Sequence, residues 1–563
     1  MNSDFPILTV IVFTPAVGAF LVLCTPARRP ELARTLGYVT TIATAGLAGW
    51  LLWHFQRGEA GFQFVEQYKW IEDIGVDYLF GVDGLSLFMV IITAFLFPIG
   101  LLASQPLQHR VKAYVFWFLM LEMAIMGIFS SLDLICFFVF WEFLLVPMYF
   151  LIAGWGSGRR VYAAVKFFVY TAAGSAFLLV SILVLGFLHQ SATGNLTFDF
   201  RVLMDWDGLS LTTERWLFLG FMISFAIKAP LVPFHTWLPD VHTEAPTFGS
   251  VILAGVLLKM GAYGFLRFSF TLFPQASIDF APLMMTLAVI GIVYGAVVAA
   301  MQKDVKRLIA YSSVSHMGFI VLGIFSLTTI GLDGALFIML SHPLTTGALF
   351  LLVGMLYERR HTRQIADLNG IWKVMPLFTA MFLIATFAGI GLPGLSGFIG
   401  EFLTLLGTFV SDGPWAIIAT TGVILAAVYM LWAVQRVFTG QPSAENAGLR
   451  DVGVREVVVV APLLVASLFL GIYPKPVLDR VEPTAKSLIE HFERETDFRE
   501  DSPDPIIQAG GGQAPLPTTP LAATPGASRV RAGKAGPLPL RGGAETDERS
   551  ASQLARAEIE LSW

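Results

Sequence analysis

Runs of about twenty apolar residues follow one another along the chain, separated by short polar turns. A helix needs ~20 mostly apolar residues to cross ~30 Å of hydrocarbon. Segments of that kind fall near 6–24, 36–55, 84–104, 113–130, 133–153, 162–188 and 215–237. Others follow near 248–270, 281–301, 308–328, 334–356, 375–409, 415–437 and 457–473. The pattern predicts an all-α polytopic membrane protein with about fourteen transmembrane helices. The first run lacks a basic leading stretch and a small-residue cleavage site, so it is expected to be a retained helix rather than a signal peptide.

Composition agrees with this picture. Of 563 residues, 55% are hydrophobic and only 14% charged, against about 25% charged in a soluble domain. That is too little charge to coat several soluble domains. A net charge of −5 gives no basic footprint for nucleic acid. Cys24 and Cys136 both sit in apolar runs, which supports neither a disulfide framework nor an Fe–S or zinc site.

Basic residues are shared unevenly between alternate turns. The odd-numbered turns hold eighteen: Arg28, Arg29, Arg34, Arg110, Lys112, Arg159, Arg160, Lys166, Lys303, Lys306, Arg307, Arg359, Arg360, Arg363, Lys373, Arg436, Arg450 and Arg455. The even-numbered turns hold five, namely Arg57, Lys69, Arg201, Arg215 and Arg267. By the positive-inside rule the odd turns are cytoplasmic and both termini lie outside. Residues 1–475 then form the membrane domain and 476–500 an extramembrane segment. Residues 501–563, with eight Pro and eight Gly, are expected to be a disordered tail.

Two spans are interrupted. The seventh carries Lys228-Ala229-Pro230-Leu231-Val232-Pro233-Phe234-His235, and its two prolines remove helical donors. The twelfth carries Gly389-Ile390-Gly391-Leu392-Pro393-Gly394. With repeats over about 113–270 and 281–438, Lys228 lies 115 residues into the first and Glu401 lies 120 into the second. Broken helices at corresponding positions point to an ion path between inverted repeats. The match of Gly389-x-Gly391-x-x-Gly394 to a dinucleotide fingerprint is accidental, because no strand precedes it and Pro393 lies within it.

Ionisable residues at membrane depth mark the candidate chemistry, since a charge there costs at least ~2.5–3.5 kcal/mol. Glu142, Lys228, Lys259 and Glu401 all fall within spans. The blander readings are a packing acid for Glu142, a snorkelling Lys228, and a helix-dipole partner for Glu401. His235, His316 and His342 lie in or near spans, where a histidine often serves only packing. Glu122 and Asp133 are expected near span ends, as interfacial structure. His235, Asp240, His242 and Glu244 fall in a loop-like run with Pro239 and Pro246, which argues against a metal site. Acids, lysines and histidines alternating at depth suit a proton relay, and no flavin, haem or nucleotide motif accompanies them.

The segment 228–263 runs from Lys-Ala-Pro-Leu-Val-Pro-Phe-His-Thr-Trp-Leu-Pro-Asp-Val-His through Leu-Leu-Lys-Met-Gly-Ala-Tyr. It resembles the antiporter-like chains of respiratory complex I, the proton-translocating NADH–quinone oxidoreductase. So do Lys306-Arg307-Leu308-Ile309-Ala310-Tyr311-Ser312-Ser313-Val314-Ser315-His316-Met317-Gly318 and Gly391-Leu392-Pro393-Gly394-Leu395-Ser396-Gly397-Phe398. The resemblance covers about 5–475. It implies two inverted five-helix repeats with broken helices 7 and 12, and proton translocation driven by quinone reduction elsewhere in the complex. It implies no cofactor or redox centre on this chain, neighbouring antiporter-like chains as partners, and a multi-pass place in the cell inner membrane. By motif, Glu142 and Lys228 resemble the acid–lysine pair of the cytoplasmic half-channel, Lys259 the central relay lysine, and Glu401 the acid on the outer side. His235, His316 and His342 match intervening polar positions. Pro343, where the family usually has Gly, is expected to alter the kink of the eleventh helix.

A subunit of a multi-subunit Na⁺/H⁺ antiporter and a pumping chain of a membrane-bound hydrogenase remain as alternatives. Both share Glu142, Lys228 and Lys259, and the acid at Glu401 favours complex I. A purely structural scaffold leaves the intramembrane lysines unexplained. The charge asymmetry carries its own test. A reporter active only in the cytoplasm, fused after residue 475, is expected to be silent, and a periplasmic reporter to be active. The reverse result would mean that the spans are miscounted.

Overall fold

Backbone N–H and C=O groups have no water to bond in hydrocarbon, so a spanning segment satisfies them within a helix. The computed structural model describes residues 5–500, and it is built almost wholly on that rule. The tail assigned to 501–563 lies outside the described residues. Among the described residues twelve helices are long and apolar enough to cross a membrane, from Ile7–Cys24 to Val454–Ile472. The other two predicted segments are the interrupted ones. The seventh runs as a helix over Leu211–Lys228, breaks, and resumes through a 3₁₀ turn at Phe234–Thr236 and a short helix Trp237–Glu244. The twelfth is two half-helices, Pro376–Gly389 and Ser396–Ser411.

The core gathers around the eighth, tenth and eleventh spans. Thr247–Leu272 and Thr329–Arg360 are buried over their whole apolar windows, and Val305–Phe325 nearly so. Pro343 does not interrupt the eleventh span, which stays helical from Thr329 to Arg360. Small residues let it approach the second half of the twelfth. A methyl group added to Gly400 would lie 2.8 Å from the Ile338 nitrogen, the kind of close contact that holds helices together in lipid.

Two elements outside the spans were not foreseen as structure. An antiparallel hairpin, β1 (Gln63–Ile71) and β2 (Val76–Val82), joins the second and third spans. Glu66 on β1 accepts from the Leu8 and Thr9 backbone N–H groups, satisfying donors at the start of the first helix. An amphipathic helix, Lys475–Glu495, follows the last span, and its Val477, Val481, Ala485, Leu488 and Phe492 face inward. Phe492 stacks edge-on against Phe270, with centroids 5.0 Å apart.

Several basic residues counted as turn charges are in fact interior. Arg267 is buried within the eighth span and forms an ion pair with Asp83. Its guanidinium also lies 4.8 Å from the Phe62 ring centroid. Asp83 in turn caps the third span, accepting from the Leu85 and Ser86 N–H groups. One carboxylate therefore ties the start of one helix to the interior of another. Removing one partner of a buried pair leaves the other charge uncompensated, at ~3–5 kcal/mol, and a lost cap adds ~1 kcal/mol. Asp83→Ala is expected to lower the melting midpoint of the detergent-solubilised protein clearly. Asp83→Asn, which keeps a capping acceptor, should fall between. An unchanged midpoint for Asp83→Ala would show the pair to be dispensable.

Candidate functional site

Lys259 stands at the centre of the bundle, and the eighth span is distorted on both sides of it. The helix passes through π-helical turns at Leu253–Leu257 and Phe265–Ser269, with an α-helical stretch Leu258–Gly264 between them. In the first of these the Leu258 N–H reaches back five residues to the Leu253 carbonyl. Such turns disturb the regular ladder and recur at functional sites. The Lys259 ammonium donates to the Ala254 carbonyl inside that turn. Its other contact is His342 Nδ1, at 2.7 Å. A fully buried lysine is thus held by a carbonyl and an imidazole, with no carboxylate bonded to it.

From His342 the polar groups continue. When the Lys259 ammonium donates to Nδ1, the ring proton of a neutral His342 is on Nε2, 3.1 Å from Thr346 Oγ1. The His342 and His316 rings meet edge to face, with centroids 5.1 Å apart. His316 Nε2 donates to the Gly389 carbonyl at 3.1 Å, the last carbonyl of the first half of the twelfth span. The same nitrogen lies 3.5 Å from Glu401 Oε1. His316 Nδ1 is buried and makes no well-aligned hydrogen bond among the described residues, with the Ser312 backbone acting on the ring. The structure therefore brings Lys259, His342, His316 and Glu401 into one continuous row. His342 is fully part of it despite Pro343.

Glu401 is the sixth residue of Ser396–Ser411, beyond the first turn where a helix dipole acts strongly. A dipole partnership therefore accounts for little of its placement. The break beside it makes the room it occupies. Gly391 has φ +72°, and a Cβ there would meet Glu401 Oε2 at 2.5 Å. Both the left-handed backbone and the close approach require glycine.

Glu142 and Lys228 lie near one another but are not bonded. Lys228 is the last residue of the Leu211–Lys228 half-helix, where the dipole favours a cation. Its ammonium finds no hydrogen-bond partner among the described residues. It rests instead over the Trp141 ring, 4.8 Å from the centroid, and 5.6 Å from that of Phe167. The charge of Glu142 acts on it across the intervening space. Glu142 is the next-to-last residue of Leu134–Phe143, the first part of the fifth span, just before an interruption at Leu144. Trp237 Nε1 donates to the Ile227 carbonyl at 2.9 Å, satisfying an acceptor exposed by the break. His235 stands apart from both groups. It packs against Tyr294 at 5.1 Å between centroids, within electrostatic reach of Lys166.

Besides Arg267, three interior groups stand deeper than the sequence suggests. Glu122 is not near a span end. It is the twelfth of the twenty residues in Val111–Ser130, fully buried, with neither oxygen hydrogen-bonded among the described residues. Asp133, by contrast, does cap a helix, accepting from the Ile135 and Cys136 N–H groups. Lys306, counted as a turn charge, is buried and donates to the Ala245 carbonyl at 2.6 Å. It lines a cavity of about 320 Å³ together with Tyr114, Tyr357, Glu358 and Arg363. His242, dismissed with the metal reading, is fully buried, stacked on Phe350 with 4.8 Å between centroids. Both Lys306 and Lys259 act on it electrostatically, so it lies within reach of both lysines. A histidine and a lysine at the edges of apolar runs were the available signal, hidden by Pro239 and Pro246.

Comparison with known proteins places the chain in a family. Residues 131–426 match the family model described as NADH:quinone oxidoreductase/Mrp antiporter, transmembrane. NADH-quinone oxidoreductase subunit M of Rhodobacter capsulatus is 43% identical over 498 residues, covering 86% of this chain and 97% of that protein. NADH-ubiquinone oxidoreductase chain 4 of Arabidopsis thaliana is 41% identical over 488 residues, with 86% and 97% covered. A chain of respiratory complex I from Thermus thermophilus superposes with a TM-score of 0.79 at 33% identity, covering 86% of this chain and 99% of that one. A chain of the Mrp complex from Dietzia sp. shares the fold, with a TM-score of 0.75 at 21% identity over 87% of this chain and 100% of that one. With matches of this length and identity, the chain belongs to the NADH:quinone oxidoreductase/Mrp antiporter family of membrane proteins.

Proposed function

We propose that the buried row of Lys259, His342, His316 and Glu401 is the route by which this chain, a proton-translocating membrane subunit of NADH–quinone oxidoreductase, carries protons. The observation that carries the reading is the continuity of that row, from a fully buried ammonium to a carboxylate beside a broken helix. A proton passed from Lys259 to His342 Nδ1 makes an imidazolium. His316 can take a proton on its Nδ1 and release the one on Nε2 towards Glu401 Oε1. Each imidazole thus receives on one nitrogen and donates from the other, across ring centroids 5.1 Å apart.

Glu142 tunes Lys228 by charge at a distance, and a change in their separation alters the proton affinity of the lysine. The cavity at Lys306 and the neighbouring His242 are the supply side of Lys259. This chain carries the protons and other subunits carry the electrons, so no flavin, haem or Fe–S centre is assigned to it. Its partners are the other membrane subunits of the complex, neighbouring antiporter-like chains among them. We place it in the cell inner membrane with both termini outside. A Na⁺/H⁺ antiporter subunit would share the fold, as the Mrp chain does at 21% identity. The relatives above 40% identity bear the oxidoreductase name, and that decides between the two.

Moving one charge against ~200 mV costs ~4.6 kcal/mol, at about 2.3 kcal/mol per 100 mV. A relay group must therefore change its proton affinity by several pKa units during the cycle, at 1.36 kcal/mol each. Lys259→Met keeps the volume and removes the titration. It is expected to lose most proton uptake into inverted vesicles, and most coupled quinone reduction, in complex that native gels show to be assembled. Glu142→Gln should do the same, because an amide supplies no charge to Lys228. Glu142→Asp should be milder. Full pumping by assembled Lys259→Met would leave that lysine as packing.

The assignment of redox chemistry to other subunits has a separate test. The chain purified alone is expected to show no flavin, haem or Fe–S absorbance. A stoichiometric chromophore would overturn it.

A further inference from the structure

An apolar groove of about 730 Å³ opens between the second, third, eleventh and fourteenth spans and the start of the Lys475–Glu495 helix. None of the relay side chains lines it, and the proposed function leaves it unused. Phe88, Ile91, Leu344 and Phe469 line its walls, and Arg57 and Arg480 sit at its mouth. The volume falls within the ~300–1,000 Å³ of small-molecule sites, but the walls offer no polar group to orient a soluble ligand. All the charge is at one end.

That end is built asymmetrically. Arg480 is buried and donates one bond from its guanidinium, to the Pro476 carbonyl at 2.8 Å. Its Nε is buried without a hydrogen-bond partner among the described residues. The charges that act on it are Arg57 and Asp479, so two cations face one anion. A buried guanidinium with an unpaired donor is unfavourable unless an acceptor completes it. Trp53, beside the mouth, is 85% exposed, and tryptophan at such a position marks the headgroup level of a membrane.

We propose that this groove binds an anionic phospholipid, its phosphate seated between Arg57 and Arg480 and one acyl chain lying along Phe88, Ile91, Leu344 and Phe469. A guanidinium pair matches the oxygens of a phosphate through directed, charge-assisted bonds. The apolar walls exclude water from the chain below. The lipid would fasten the second and third spans to the last span and the amphipathic helix, all of which contribute to the groove.

The test uses the assembled complex reconstituted with phosphatidylglycerol or phosphatidylcholine bearing a photoactivatable acyl chain. Cross-links are mapped to peptides of this chain by mass spectrometry. Phosphatidylglycerol is expected to label the groove peptides in preference to phosphatidylcholine. Arg57→Gln and Arg480→Gln should each reduce that labelling about fivefold, the equivalent of ~1 kcal/mol per basic residue, and Arg480→Lys should restore part of it. Ala466→Trp, which narrows the groove and leaves both arginines in place, should remove labelling by both lipids. Native gels follow assembly, and the Ala466→Trp arm stands even where an arginine variant fails to assemble. Equal labelling by the two lipids, labelling unchanged in the arginine variants, or none in the groove would each overturn the proposal.

Discussion

A polar group in hydrocarbon must find its partner inside the protein, and nearly every feature of this molecule answers to that constraint. It forces the backbone into helices. It makes each interruption conspicuous, because a broken helix exposes carbonyls and N–H groups that something must satisfy. At the seventh span Trp237 Nε1 takes up the Ile227 carbonyl. At the twelfth, His316 Nε2 takes up that of Gly389. In the second case the satisfying group is itself a member of the relay row. The break and the chemistry are therefore one arrangement, in which a freed carbonyl orients an imidazole towards Glu401.

The same constraint explains what was legible beforehand. Spans are legible because a crossing requires a fixed length of apolar residues, and the breaks because Pro and Gly stand inside them. Lys259 and Glu401 are legible because a charge within an apolar run has no bland place to go. The π-helical turns around Lys259 have no comparable sign, since they follow from packing against neighbours distant in sequence. The hairpin was missed because Val76–Val82 is itself apolar and merges with the run that begins at Gly84. Lys306 and His242 read as turn residues because position along the chain does not reveal depth. Helix 11 folds over the turns that carry them, as the stacking of Phe350 on His242 records.

The site residues form two groups of different character. Lys259 is clamped, with a carbonyl and an imidazole on its ammonium. Lys228 is held softly, over two aromatic faces and at the negative end of a half-helix. Cation–π attraction and a helix dipole are broad in space, so they tolerate displacement of the ammonium better than a directed bond does.

That difference bears on direction. A group that must respond to a moving neighbour benefits from soft restraint, because small changes in the Glu142–Lys228 separation then change its charge state without first breaking a bond. A group that must pass protons along a fixed row benefits from the opposite, since transfer between nitrogens needs a short and constant contact. Under the proposed function, the soft restraint of Lys228 beside Glu142 suits a sensing end, and the short contacts of Lys259 suit a conducting end. Gly261 joins the two, for a Cβ there would meet the Ala229 nitrogen at 2.5 Å. The clamped span is thus pressed against the break that follows Lys228. Packed backbone, and not charge alone, therefore lies between the two groups.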